Sequence, residues 1–331
     1  MRIALDAMGT DHAPAAEVAG AIGALQELEP DIEVVLVGDQ EAVEAELSRH
    51  EGAPEGRLHV HHAPERVTAA DPPASVLRKK PASSIVLGLK MVKAGEADAF
   101  VSAGSTGAVM ATSLFTLRPL PGVARPAIGT LLPTAATPCL MLDAGANVDC
   151  KPLHLVQFAH LGNVYAQDLM GIEKPRVALL NIGEEPEKGD ELTLEAHRML
   201  AAAPGIDFVG NVEGRDIIQG YCDVVVCDGF VGNVLLKFYE SVAEFIIGLL
   251  KKEVRHSDQL NLEEVFRVLD YAEYGGAPLL GVGGVSIICH GESSSRAIRN
   301  AIGAAARAVR SDMVKHIARE LAGPEKPQET A

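Results

Sequence analysis

Five segments rich in glycine, aspartate, amides and hydroxyls hold most of the residues able to do chemistry: residues 9–12, 104–107, 143–147, 183–189 and 228–233. Each follows a short apolar run, so each reads as a loop at the carboxyl end of a strand, where open α/β sheets bind ligands. Gly104-Ser105-Thr106-Gly107 stands between a strand and a helix, and such a turn can offer backbone N–H groups to a phosphate. The plainer reading is that Ser105 or Thr106 caps the helix. The turn matches neither a dinucleotide fingerprint nor a Walker A sequence. Lys188 is the one cation in its loop, among Glu184, Glu185, Glu187, Asp190 and Glu191. It could hold an anion at the mouth of a cleft or pair with those acids, and taken alone the residues favour pairing.

Other chemistries lack their residues. There is no Ser-His-Asp spacing, no G-x-S-x-G elbow and no zinc set. His59 and His61 share a strand face, but with no third ligand at useful spacing they read as an edge strand, and no metal is expected. Arg78, Lys79 and Lys80 form the densest basic cluster of the first half. Backbone donors, helix N-termini, amides and one lysine suit an anion, with catalysis by positioning and electrostatic stabilisation.

The elements that must position these loops alternate strand and helix almost throughout. The pattern predicts a layered α/β/α unit with a largely parallel sheet, and the five loops brought to one edge around one cleft. A single domain is expected over residues 1–322, with no linker or repeat, and residues 323–331 read as a disordered tail. A final helix is expected from about 294 to 321. A long helix is expected over about 234–255, with a second over 262–272 pairing back. In the first, Leu235, Phe238, Val242, Phe245 and Leu249 recur at three-four spacing. That is more apolar surface than one sheet face covers, so this helical hairpin, about 234–272, is expected to pack against its twofold mate in a homodimer.

Composition narrows the partners. The 331 residues are 47% hydrophobic and 22% charged, ample for a core, and the net charge of −16 argues against nucleic acid or a generic anionic membrane surface. Five cysteines with no C-x-x-C pair read as buried free thiols in a reducing cytoplasm. Met1 to Ala4 runs straight into a strand, so no signal peptide is expected. Uncharged runs at 99–117, 126–142 and 274–291 are punctuated by turn residues and read as buried strands and loops, giving a soluble protein.

The loops also carry an ordered set of motifs. Ala4-Leu5-Asp6-Ala7-Met8-Gly9 with Asp11-His12-Ala13-Pro14 resembles the amino-terminal signature of the PlsX-type phosphate acyltransferases. Ser102-Ala103-Gly104, Thr106-Gly107-Ala108, Asp143-Ala144-Gly145-Ala146-Asn147-Val148-Asp149 and Leu180-Asn181-Ile182-Gly183-Glu184-Glu185 with Lys188-Gly189 continue the match. So do Val212-Glu213-Gly214, Asp228-Gly229-Phe230-Val231-Gly232-Asn233, and Gly276-Ala277-Pro278-Leu279-Leu280-Gly281-Val282 with His290-Gly291. Ser105 stands where that family usually has Asn, and Thr10 where a second Gly is usual. The resemblance implies a fold similar to isopropylmalate dehydrogenase and phosphate acetyltransferase, a homodimer, and no cofactor. It implies conversion of long-chain acyl-[acyl-carrier protein] and inorganic phosphate to acyl phosphate for phospholipid synthesis. The product would pass to a membrane glycerol-3-phosphate acyltransferase, giving a cytoplasmic enzyme with peripheral contact at the inner face of the membrane. By resemblance Lys188 and Asn233 are the catalytic candidates, with Gly104, Ser105, Thr106, Gly107, Asn147, Asp228 and His290 around phosphate or substrate and His12 in support. Arg78, Lys79 and Lys80 are the expected docking patch for the acidic carrier. The alternatives are a coenzyme A-dependent phosphate acyltransferase, a nicotinamide-dependent hydroxyacid dehydrogenase, whose arginine clamp and metal-binding aspartates are not grouped here, and a non-catalytic carrier-docking scaffold.

Overall fold

The computed structural model describes residues 1–54, 56–68, 70–253 and 275–322. Among these described residues eleven short strands form one sheet: β1 (Arg2–Asp6), β2 (Glu33–Gly38), β3 (Leu58–His62), β4 (Ala99–Ser102), β5 (Ala127–Leu132), β6 (Cys139–Leu142), β7 (Arg176–Leu180), β8 (Asp207–Val212), β9 (Val224–Val226), β10 (Ala277–Leu280) and β11 (Val285–Ile288). Their order is β3-β2-β1-β4-β11-β10-β5-β6-β9-β7-β8. Central strands are apolar on both faces, as a sheet covered on both sides requires. Successive side chains enter opposite layers. Ile3 and Leu5 join one buried cluster while Ala4 joins the other, and Leu140 and Leu142 oppose Met141 in the same way. Helices α1 (Ala15–Glu27) and α6 (Pro152–Met170) cover the first layer, and α4 (Ser84–Ala94) and α5 (Thr106–Thr116) the second. The layered α/β/α architecture with a mostly parallel sheet is therefore the observed one.

One expectation about this sheet is corrected. The block β3-β2-β1-β4-β11 is parallel, and so is β6-β9-β7-β8, but the two are joined through β10 and β5 by three antiparallel pairings. The blocks therefore run in opposite directions, and their carboxyl ends do not share an edge. They meet instead over the short central strands, where Thr106 and Gly107 (after β4) line a cavity with Ala144 and Gly145 (after β6). Alternation of strand and helix is the same for either direction, so the pattern could not reveal the reversal.

Between these elements lie α2 (Gln40–Leu47), α3 (Val76–Lys79), α7 (Glu191–Ala201) and α8 (Gly214–Gln219), followed by α9 (Gly229–Glu253), α10 (Ser295–Arg310) and α11 (Met313–Leu321). Two helix bounds differ from expectation. The last helix is broken, because Asp312 takes φ 54 in the left-handed region and starts α11 on a new axis. The long helix begins at Gly229 rather than near 234, for a reason given below. The helix expected over 262–272, its turn at 255–261 and the tail at 323–331 lie outside the described residues. β3 is a sheet edge, with His59 Nε2 3.2 Å from Glu33 Oε2. Cys139, Cys222, Cys227 and Cys289 are buried and Cys150 half-buried, all as free thiols. Among the described residues no helix is long and apolar enough to cross a membrane, and no three acidic, histidine or cysteine side chains group as metal ligands.

Candidate functional site

The site is built around Asp143, fully buried at the end of β6. Its Oδ1 accepts the N–H groups of Ile128 (3.0 Å), Gly145 (3.3 Å) and Ala146 (3.1 Å), and its Oδ2 accepts from Asn147 N (2.6 Å) and Nδ2 (2.9 Å). Burial raises this carboxyl above the ordinary carboxylate value, while the hydrogen bonds from Ala146, Ile128 and Asn147 oppose that rise. The result is a rigid loop with Gly145 at φ 130, a conformation open to glycine. Asn147 belongs to this scaffold: it is buried, and its amide donates to Asp143 and to Pro126 O (2.8 Å). It lines none of the cavities described below.

Helix α9 stands on that loop. A side chain at Gly229 would come within 2.8 Å of Asn147 N and Asp143 Oδ2, and one at Gly232 would overlap the Asp143 carbonyl. Two glycines in five residues look like a loop by propensity. Here they are helical because only the absence of Cβ lets the first turn pack this closely. Asp228 caps that turn, its Oδ1 accepting Phe230 N (2.8 Å) and Val231 N (3.1 Å). Asp228 thus acts first as a cap.

This packing places Asn233 against Gly145, where a Cβ would lie 3.3 Å from Asn233 Oδ1. Across the gap is the N-terminus of α5. Ser105 sits at its N-cap, yet no side chain caps the first turn, so those N–H groups remain available at the cavity. Thr106 and Gly107 line a cavity of about 310 Å³ with Gly145, Phe230 and Asn233. Thr106 and Asn233 also line an adjoining one of about 150 Å³, with His290 and Ser293. His290 is exposed, and its Nδ1 accepts Glu292 N at 3.2 Å. Two residues on the α9 face went unread in the sequence. Lys237 and Glu240 line the smaller cavity, with Lys237 Nζ 2.8 Å from Glu240 Oε2. Their spacing from Asn233, four and seven residues, was the available signal.

Behind α5 the amino-terminal loop is held by buried polar bonds. Ser102 Oγ donates to Asp6 Oδ2 (2.6 Å) and accepts Gly104 N (3.0 Å). Thr10 is buried outside the left-handed region, and its N–H (2.7 Å) and hydroxyl (3.0 Å) both donate to Glu17. A threonine is therefore accommodated in place of glycine, with its hydroxyl in use. Burial raises Glu17 to about 7 against those donors. Asp11 N donates to Gly291 O at 2.9 Å, which ties this loop to the turn before α10.

Lys188 stands apart from Asn233. It is exposed on the β7–α7 loop and lines neither cavity holding Asn233. Its ammonium forms no ion pair among the described residues despite its acidic neighbours. Gly183 gives it room, since a Cβ there would come within 2.9 Å of Lys188 Cγ. The basic cluster divides as well. Lys80 Nζ bonds Asp71 Oδ2 and Arg66 O, both at 2.7 Å, and this holds the Asp71 carboxyl down to about 2. Arg78 and Lys79 are exposed with no ion pair among the described residues. The turn before them reaches the α5 N-terminus, where Pro73 Cγ would lie 2.9 Å from a Cβ on Gly107.

Comparison with known proteins matches residues 1–316 to the family described as fatty acid synthesis protein. A phosphate acyltransferase of Desulforamulus reducens is 52% identical over 329 residues, covering 97% of each chain. One from Heliobacterium modesticaldum is 50% identical over 336 residues, covering 99% of each. Among solved structures, a phosphotransacetylase from Staphylococcus aureus superposes with a TM-score of 0.63 at 16% identity, over 93% of this chain and 94% of that one, a likeness of fold.

Proposed function

The chain belongs to the fatty acid synthesis protein family, whose curated relatives are phosphate acyltransferases, and from that premise we propose that it converts a long-chain acyl-[acyl-carrier protein] and inorganic phosphate to acyl phosphate for phospholipid synthesis. The supporting observation is the uncapped N-terminus of α5 facing the Asn233 amide across a glycine-walled cavity. Such donors suit a phosphate and the oxyanion that develops during acyl transfer.

The reaction needs little else. A phosphate oxygen attacks the thioester carbonyl, the new C–O bond forms, and the C–S bond breaks. The proton lost by phosphate ends on the departing thiolate. No covalent enzyme intermediate is required, so alignment and charge stabilisation carry catalysis. Asn233 is assigned to phosphate or the carbonyl oxyanion, and Lys188, which lies outside the Asn233 cavities and has no ion pair among the described residues, to phosphate from the side of the β7–α7 loop. Thr106, Gly107 and His290 border the space assigned to the anion, Gly104 and Ser105 shape the turn behind Thr106, and Asp228 and Asn147 hold the frame.

Arg78 and Lys79 flank the turn that touches the α5 N-terminus, which suits docking of an acidic carrier by a chain of net charge −16. A twofold partner against α9 and delivery of the product to a membrane glycerol-3-phosphate acyltransferase complete the reading. The test is phosphorolysis of acyl-carrier protein and of acyl-coenzyme A with labelled phosphate. Acyl phosphate formed with higher kcat/KM from the carrier supports the proposal. Preference for coenzyme A refutes the carrier assignment, and no acyl phosphate from either refutes the reading as a whole.

A further inference from the structure

A second cavity, of about 710 Å³, lies between the β7–α7 loop and the first three turns of α9. Its base reaches residues of the core, Leu155 (0% exposed) and Cys227 (4%). Val231, Leu235 and Phe238, at four- and three-residue steps, form one wall of it, and Leu180 and Ile182 contribute from the β7 end. Asp190 and Asp228 border it too, but both carboxylates are spent as helix caps, on Thr193 and on Phe230 with Val231. The lining therefore offers apolar surface, with its charged groups already satisfied.

Helix α9 sets this cavity beside the anion site. Val231, Leu235 and Phe238 face the apolar side, whereas Asn233 and Lys237 face the other. Phe230 lines both the apolar cavity and the one holding Thr106 and Asn233, so the two spaces adjoin at the helix start. From Asp228 the apolar wall runs to Phe238, about 15 Å along a helix axis. Ligand cavities of this size are the ordinary range for a small molecule. A helix from another protein chain, about 10 Å across, is too broad to reach a base of core side chains that an alkyl chain would touch.

We propose that this cavity takes the alkyl chain of the acyl thioester, and that Val231, Leu235 and Phe238 set the chain length accepted. The inference rests on the reading as a phosphate acyltransferase. Each methylene buried there adds apolar contact, so long chains gain over short ones. Val231 (41% exposed) and Val234 (54% exposed) can each be replaced by tryptophan without opening the core.

The experiment measures kcat/KM for palmitoyl and butyryl thioesters in the wild-type chain, Val231→Trp and Val234→Trp, with thermal melts and sedimentation of each. In at least one folded variant the palmitoyl-to-butyryl ratio is expected to fall about tenfold or more. An unchanged ratio in both, or an equal loss for both substrates, overturns the inference. A variant that dissociates while keeping the wild-type ratio also overturns it, by assigning the cavity to a second copy. Wild-type chain inactive on both thioesters would instead indict the underlying reaction, so the two failures remain distinct.

Discussion

The α-carbon of Gly232 rests on the main-chain carbonyl of Asp143, in the space where any other residue would carry its Cβ. This contact joins the loop after β6 to the helix that carries Asn233, so it sets the distance across the cavity between Asn233 and the α5 N-terminus. Gly232→Ala should therefore push α9 outward. The expected result is a loss of about 1–3 kcal/mol in stability and a fall in turnover on the order of a hundredfold, since a shift of about 1 Å suffices for that. Gly248 lies in the same helix with nothing within 4 Å of its would-be Cβ. Gly248→Ala should leave turnover alone and raise stability by about 0.5–1 kcal/mol. Equal behaviour of the two variants in melts and steady-state assays would remove the contact from the account.

Lys188 tests the electrostatic part of the proposal. Its side chain is exposed and holds no ion pair among the described residues, so Lys188→Ala should fold and melt as the parent does. Turnover should fall on the order of a hundredfold or more, because the charge assigned to phosphate is lost. Near-normal turnover in the purified, folded variant would sink the assignment.

The basic cluster should split by function as it does by geometry. Reversal of Arg78 and Lys79 to glutamate is expected to raise KM for acyl-carrier protein at low salt, with little effect on a small acyl thioester. Lys80→Ala should act on the loop instead, because Lys80 ties Asp71 to the Arg66 carbonyl. An unchanged KM after reversal of Arg78 and Lys79 would leave them as solvated surface.

The outcome for these residues also shows what was readable in the chain. Apolar strands between helical segments gave the layers, since burial on two faces needs uninterrupted apolar runs such as Val224–Val226. Strand direction was not readable, because β5 and β10 reverse the sheet without altering the alternation of elements. The loop positions of Gly104 and Asp143 were legible from composition, but the start of α9 was not. Glycine at 229 and 232 opposes a helix by propensity, and only the approach of Asp143 explains it. Neighbourhoods across the sheet were equally hidden. Nothing local in the sequence separates Lys80, which is bound to Asp71, from Arg78 and Lys79. Nor does anything local set Lys188 apart from Asn233.

Glu17 should give the fold a pH dependence of its own. Its carboxyl is buried and raised to about 7 from the ordinary glutamate value of 4.5, so the folded chain holds this proton more tightly than the unfolded one. The proton-linked stability is full below the unfolded value and declines as pH rises to about 7, above which it is lost. The span is roughly 3 kcal/mol. Glu17→Gln keeps an acceptor for Thr10 N and removes the titration, so the wild-type chain should lose stability relative to this variant as pH rises through that window. Denaturant midpoints at several pH values provide the check, and parallel curves for the two proteins would exclude Glu17 as the source.

The outer face of α9 bears on assembly. Phe245 is 65% exposed and Leu249 46%, on a helix whose exposed face beyond the apolar cavity also carries Ile246. Apolar side chains this large, in line along one helix, mark an interaction surface more often than free solvent-facing residues. The twofold packing expected from their spacing would bury them against the same face of a second copy, an isologous contact in which each Phe245 meets the partner helix. Sedimentation at micromolar concentration should then report a dimer. Phe245→Asp should shift it toward monomer, because an unpaired carboxylate would have to be desolvated in the contact. Since Phe245 lines none of these three cavities, the monomeric form can be assayed for what the partner contributes. A wild-type chain that sediments as a monomer would leave the face without a twofold mate.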